Sequence, residues 1–157
     1  MSMEELITIY TDGACRPSNP GPGGCACILL YKGNRKELTL SFKETTNSRM
    51  ELMAVIMALE ALKKKDIKIQ IHADATYKIK SITKKWVYTW EKEKWRGRLN
   101  ADLWKRFLAI HRTFTNTVEF IWVKGHTGDV ENENCDKLAN GAACGSEIID
   151  TGYISKS

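Results

Sequence analysis

No apolar run in this chain of 157 residues approaches the length needed to cross a bilayer, and no linker-like or low-complexity tract divides it. A membrane anchor is not expected. With 43% hydrophobic residues the chain is long enough to bury a real core, and residues 1–157 read as a single domain. Also missing are the basic n-region and long apolar segment of a secretory signal. The start, MSMEELITIY, is acidic and passes straight into an alternating run. The five cysteines (Cys15, Cys25, Cys27, Cys135, Cys144) form an odd set without CxxC spacing. That argues against a disulfide framework or a zinc site and for reduced thiols, so a cytoplasmic location is expected. Nothing in the chain demands more than a monomer.

What charge there is sits unevenly. The net charge is +5, yet residues 78–98 hold eight Lys or Arg against Glu91 and Glu93, a local balance of +6 that leaves the remainder near −1. A basic segment on an otherwise neutral protein points to a polyanionic partner.

Residues 5 to 11 alternate as a strand and stop at Asp12-Gly13; CACILLY (25 to 31) and KELTLSF (36 to 42) read as two more strands around a Gly33-Asn34 turn. A helix is predicted from about Ser48 to Lys65, with Asn47 as its N-cap and an apolar stripe of Met50, Met53, Ala54, Met57 and Ala61. A strand over 67 to 73 follows, then short helical segments over 76 to 84, 86 to 95 and 100 to 112. A fifth strand over 117 to 123 and a helix from Glu131 to about Ala143 close the chain. The order βββαβαααβα contains a strand, helix, strand crossover, which favours a mixed α/β sheet with helices on its faces.

Reactive groups in such sheets gather at the carboxyl ends of parallel strands. Two strands here lead into an aspartate, Asp12 and Asp74, and Glu51 falls in the predicted first turn of the first long helix. Each has an ordinary reading. Asp-Gly suits a turn, an aspartate after a strand caps the next helix, and an acid near a helix N-terminus gains about 0.3–1 kcal/mol from the dipole. The alternative is geometric: if the first and fourth strands are parallel neighbours, Asp12 and Asp74 emerge side by side, and the helix could aim Glu51 at the same place. Crowded carboxylates repel unless a cation offsets them, and oxygen donors without Cys or His select hard ions such as Mg²⁺ or Mn²⁺. Asp136 could supply a fourth acid. Four such groups suffice for two ions about 4 Å apart, an arrangement suited to phosphodiester hydrolysis.

The stretches TDGAC (11 to 15), NPGPGG (19 to 24), TTNSRMEL (45 to 52), ADATY (73 to 77), DLW (102 to 104), WVKGHTG (122 to 128), ENENCDKLA (131 to 139) and DTGY (150 to 153) occur in this order along nearly the whole chain. Together they resemble bacterial type 1 ribonuclease H. The resemblance implies a ribonuclease H-like fold, an α/β architecture with a mixed five-stranded sheet flanked by helices. It also implies metal-dependent hydrolysis of the RNA strand of RNA/DNA hybrids, leaving 5′-phosphate and 3′-hydroxyl ends. The family's four metal-binding acids fall on Asp12, Glu51, Asp74 and Asp136, which would hold two Mg²⁺ ions during catalysis, with Mn²⁺ as a substitute. Its loop histidine, which helps proton transfer or product release, falls on His126.

Trp86 and Trp90 are spaced i, i+4 among lysines, so one reading is a shared basic-aromatic face and the other is a pair of core tryptophans. Trp104 and Trp122 are expected in the core. Phosphate attraction and stacking would together explain the residue types of 84 to 98. The resemblance makes this segment, with Lys84, Lys85, Trp86 and Trp90, the handle for the DNA strand. Reading RNA requires contacts to 2′-hydroxyls, which by resemblance fall to Asn19 and Asn47, with backbone near Cys15. Thr46 and Asn100 would form a pocket for a DNA phosphate. The chain departs from the family in places. Ala75 and Thr76 stand where many relatives have Ser and Gln, so Thr76 takes the place of a sugar contact. Glu44 stands where relatives carry arginine, beside Lys43. The turn Arg16-Pro17-Ser18 is one residue longer, and the span from Trp95 to Asn100 is shorter than in the longest handles.

Two other functions compete. A non-catalytic hybrid-binding module would have no need for four acids that repel phosphate, and a DNA-cutting nuclease of the same superfamily would not need the NPGPGG, TTNSRMEL and basic-aromatic segments.

Overall fold

The computed structural model describes residues 5–73, 80, 82, 85–123, 129–143, 146 and 148–153. Among them the order is β1 (Leu6–Cys15), β2 (Gly21–Tyr31), β3 (Asn34–Thr45), α1 (Asn47–Ala61), β4 (Lys68–Ala73), α2 (Trp86–Lys92), α3 (Ala101–His111), β5 (Val118–Trp122) and α4 (Val130–Ala142). The strands form one mixed sheet in the order β3-β2-β1-β4-β5. β1 is antiparallel to β2 and parallel to β4, and β5 continues parallel on β4. The expected parallel pairing of the first and fourth strands is therefore present. The helical segment expected over 76 to 84 lies almost entirely outside the described residues.

Alternation along β1 divides the molecule into two layers. Ile7 and Ile9 enter the main core with α1, while Tyr10 and Ala14 join Ala26, Ile28, Cys135 and Ala139 in a smaller cluster beneath α4. β1 does not stop at Asp12-Gly13. It runs on to Cys15 because β2 stays in register beside it, with Ala26 opposite Asp12 and Cys25 opposite Gly13. β2 begins earlier than expected, inside the glycine-rich stretch, because that is where helix backbone approaches. A Cβ on Gly24 would lie 2.5 Å from the Ala143 nitrogen and 2.6 Å from the Ala139 oxygen at the end of α4.

α1 is more deeply buried than a single apolar stripe implies. Leu52, Val55, Ile56, Ala58 and Leu59 are buried as well as Met50, Met53 and Ala54, since the helix lies between the sheet and α3, and Met57 is only half-buried. A helix buried on several sides loses its one-sided apolar pattern. It ends at Ala61 rather than Lys65: Leu62 is extended, and Lys65 Nζ donates to the Leu62 carbonyl at 2.8 Å. Trp104 is core, 3% exposed, but Trp122 is 52% exposed because it ends an edge strand. No helix among the described residues is long and apolar enough to cross a membrane.

Candidate active site and substrate face

The helix carrying Glu51 starts one residue earlier than the sequence suggests. Thr46, not Asn47, is the N-cap; its hydroxyl oxygen accepts from the Arg49 N–H at 3.2 Å. Asn47 becomes the first helical residue, which puts Glu51 in the second turn, beyond the backbone N–H groups that favour an anion. The dipole explanation for Glu51 loses its basis. Gly13 supplies another. A Cβ there would sit 2.3 Å from the Met50 carbonyl carbon and 2.4 Å from the Glu51 nitrogen. The α1 backbone therefore rests directly on β1 at the residue after Asp12.

Asp12 is 8% exposed, and one of its oxygens, Oδ1, accepts from the Gly13 N–H at 2.8 Å. By strand alternation it falls on the α4 side of the sheet, with Tyr10 and Ala14. There Cys135 Sγ donates to the carbonyl of Ala26, the partner of Asp12, at 3.3 Å. Asp136 is the next residue, half-buried, in a helix whose start is fixed by Asp129, whose Oδ1 accepts from the N–H groups of Glu131 and Asn132. Three of the four acids thus belong to elements packed around the end of β1. The fourth, Asp74, lies outside the described residues, as do Thr76, Lys84 and His126. Ala73, the last residue of β4, follows His72, whose partner Tyr10 lies two residues before Asp12 on β1.

The donor chemistry suits a hard divalent ion. Asp12, Glu51 and Asp136 offer carboxylate oxygens only, and the buried Asp12 carboxylate requires a positive counterpart or strong hydrogen bonds. Among the described residues alone, no group of three potential ligands is gathered closely enough to hold an ion.

A second set of residues is brought together at the β1 end and the α1 start. The Cys15 N–H donates to Asn47 Oδ1 at 2.7 Å, and the Asn47 N–H donates to Asn19 Oδ1 at 3.0 Å. Both carbonyl oxygens are used inside the protein, which orients the two side-chain NH₂ groups as the donors available to a ligand. Thr46 and Asn100 line one cavity of about 690 Å³ with Ser48, Arg98 and Tyr153.

The tryptophans of the basic segment do not share a surface. Trp86 is 38% exposed, whereas Trp90 is buried, with its ring 5.7 Å from that of Trp104 in an edge contact and the Arg98 guanidinium 4.6 Å from its centroid. The expected shared face is corrected to one exposed tryptophan and one core tryptophan, because α2 spans only Trp86–Lys92 and must turn one side fully inward. Lys85 is exposed beside Trp86, and Glu91 is engaged by Arg112 at 2.5 and 2.8 Å, outside the basic segment. Glu44 and Lys43 are both exposed and share a cavity with Ser18.

Sequence reasoning missed a buried hub at this end of the molecule. Arg49 is 3% exposed and ties α1 to Asp102 at the start of α3 and to Asp150 in the tail. Locally Arg49 is one more polar residue at the start of α1, with Ser48 and Glu51 close by in sequence, and nothing there signals its burial.

The chain matches the RNase H family over residues 4–144. It is 49% identical over 142 residues to the ribonuclease H of Desulforamulus reducens, covering 87% of each chain. It is 48% identical over 158 residues to that of Proteus mirabilis, covering 97% of this chain and 96% of the other. Among solved structures, LC9-RNase H1, a type 1 RNase H with the type 2 active-site motif, superimposes with a TM-score of 0.77 at 28% identity, covering 91% of this chain and 74% of that one. RNase H1 from Halobacterium salinarum NRC-1 gives a TM-score of 0.65 at 25% identity, covering 87% and 96%. With its mixed sheet, its acids around the end of β1 and a family match over most of its length, the chain belongs to the ribonuclease H family.

Proposed function

We propose that this ribonuclease H hydrolyses the RNA strand of RNA/DNA hybrids with two Mg²⁺ ions held by Asp12, Glu51, Asp74 and Asp136. The observation that carries the reading is the direct rest of α1 on Gly13, which brings the Glu51 backbone against the residue following Asp12. Asp74 and His126 enter on sequence resemblance alone. When bound, the ions lower the pKa of the attacking water and offset charge on the leaving oxygen. Water oxygen attacks phosphorus, the bond from phosphorus to O3′ breaks, and the departing oxygen takes up a proton. The products are a 5′-phosphate and a 3′-hydroxyl. His126 helps that proton transfer or the release of product.

Selection of the RNA strand rests on the NH₂ groups of Asn19 and Asn47, whose orientations are set by the Cys15–Asn47–Asn19 chain of hydrogen bonds. The DNA strand takes the other side, with one phosphate in the cavity bearing Thr46 and Asn100 and its backbone running toward Lys85 and Trp86, while Lys84 enters on sequence resemblance alone. Trp90 supports this surface from beneath.

The experiment is cleavage of a labelled hybrid in Mg²⁺, beside RNA duplex, DNA duplex and a chelator control, with the natural chain and Asp12→Asn. Cutting confined to the RNA strand of the hybrid, abolished by chelator and by Asp12→Asn, is the expected result. Tight hybrid binding without cutting in Mg²⁺ or Mn²⁺ would replace the enzyme by a binding module.

A further inference from the structure

The hub at Arg49 has a feature that separates it from the substrate-facing groups around it. Its Nε donates to Asp150 Oδ2 at 2.8 Å; Nη1 donates to Asp102 Oδ1 at 2.9 Å and to Asn100 Oδ1 at 3.4 Å; Nη2 donates to Asp102 Oδ2 at 2.7 Å and to Asp150 Oδ1 at 3.0 Å. A guanidinium has five N–H donors, and all five are directed into the protein. Arg49 therefore lines the cavity of Thr46 and Asn100 without offering it a hydrogen bond, and its two carboxylate partners more than cancel its charge there. Its work is to hold what surrounds it.

Chief among these is the tail, residues 148–153. Asp150 also accepts from the buried Thr45 hydroxyl at 2.6 Å, the Lys43 N–H donates to the Ile148 carbonyl at 2.6 Å, and the Tyr153 N–H donates to the Asp150 carbonyl at 3.1 Å. At residue 152 a Cβ would lie 1.9 Å from Asp102 Oδ2 and 2.5 Å from Arg49 Nη2, so any other residue there must displace the ends of these paired side chains. The tail is thus pressed flat over the ion pairs. It delivers Tyr153, half-buried, to a position where it lines two cavities, the one with Thr46 and Asn100 (about 690 Å³) and a neighbour with Lys43 and Ser18 (about 520 Å³). Pro20 is the other residue of this ridge common to both.

We propose that the tail is a working wall of the strand-binding site, in which Tyr153 touches the sugar-phosphate backbone of the bound DNA strand and Asp150 is a positioning residue acting through Arg49. The inference rests on the hybrid-cleaving reading above. An aromatic ridge between two open hollows suits a backbone in which apolar sugar faces alternate with anionic phosphates: the ring meets a sugar while the phosphates on either side lie in the hollows, toward Asn100 on one side and Lys43 on the other.

The test is steady-state cleavage of a labelled hybrid in Mg²⁺ by the natural chain, Tyr153→Ala, Tyr153→Phe and Asp150→Asn. Binding of the same hybrid without metal is followed by fluorescence anisotropy, and thermal unfolding is measured for each variant. Tyr153→Ala is expected to raise KM and the metal-free Kd about tenfold with kcat within about twofold, as loss of one stacked contact requires, while Tyr153→Phe stays near the natural chain. Asp150→Asn is expected to raise KM by a similar factor at a temperature well below its own unfolding. An unchanged KM and Kd in a folded Tyr153→Ala overturns the proposal. If the natural chain binds hybrid without cutting it, the catalytic reading fails while the binding data still decide the role of Tyr153.

Discussion

Gly13 follows the buried Asp12, and its missing side chain is what lets two elements meet. The α1 backbone occupies the space a Cβ would need, at 2.3 to 2.6 Å from the Met50 and Glu51 main-chain atoms, which cannot swing aside as a side-chain tip could. Gly13→Ala must therefore push α1 off β1. Overpacking of this kind costs about 1–3 kcal/mol, and a shift of about 1 Å at the acids lowers the rate by about 10²-fold. Hybrid cleavage by Gly13→Ala, measured far below its melting temperature, is expected to show a fall in kcat much larger than any rise in KM. A variant with normal kcat would mean that the spacing of Asp12 and Glu51 is not set here. Asp12-Gly13 also marks a limit of reading residues locally. An Asp-Gly pair serves a turn or a close approach equally well, and what decides is a helix that begins more than thirty residues later. Arg49 was opaque for the same reason: Asp102 and Asp150 lie 53 and 101 residues away along the chain.

At the scale of elements, the order of strands and helices was legible because apolar alternation and the crossover both survive in a single sequence. Their ends were not, since β1, β2 and β3 extend each other by pairing and a strand's partner is not written in its own residues. α2 shows where periodicity misleads. The i, i+4 spacing of Trp86 and Trp90 permits a common face, yet burial separates them, and the two substitutions should separate likewise. Trp90→Ala removes a core ring packed on Trp104 and is expected to cost about 3–5 kcal/mol in unfolding free energy. Trp86→Ala, at a ring 38% exposed, costs less stability than this and raises KM for the hybrid by about tenfold or more, in line with about 1–3 kcal/mol for a lost stacking contact. Denaturant unfolding and steady-state kinetics on both variants check this. Equal losses of stability would mean that the exposed ring of Trp86 is structural after all.

Over the whole molecule, the tail hub and α3 couple stability to pH with a definite sign. Hydrogen bonds from Arg49 hold the Asp102 carboxyl below its ordinary value of 3.8, and at Asp150 the bonds from Arg49 and Thr45 outweigh burial, which acts to raise it, so that it too is held low. The unfolded chain therefore takes up protons first. The stabilisation these groups provide is intact above pH 3.8 and is lost as pH falls through their folded values. His111 acts earlier. Burial, with its ring stacked on Phe107 at 5.2 Å, and the neighbouring Arg112 charge hold it below its usual 6.5, so its contribution declines once pH drops under that value. The melting temperature is thus expected to fall in two stages, a shallow one below pH 6.5 and a steep one below 3.8. Asp150→Asn discriminates the second. Asp150 is 9% exposed, and weakening its charge-assisted hydrogen bonds to an Arg49 that Asp102 still neutralises costs about 1.5–3 kcal/mol near neutrality, about 4 °C or more in a chain of this size. Asp102, 47% exposed, is worth far less because solvent screens its charge. As pH falls through the folded value of Asp150, the natural chain loses the same charge the variant lacks, and the two melting curves should converge. Curves that stay parallel down to acid unfolding would show that the tail is held by its backbone hydrogen bonds and packing rather than by the ion pair.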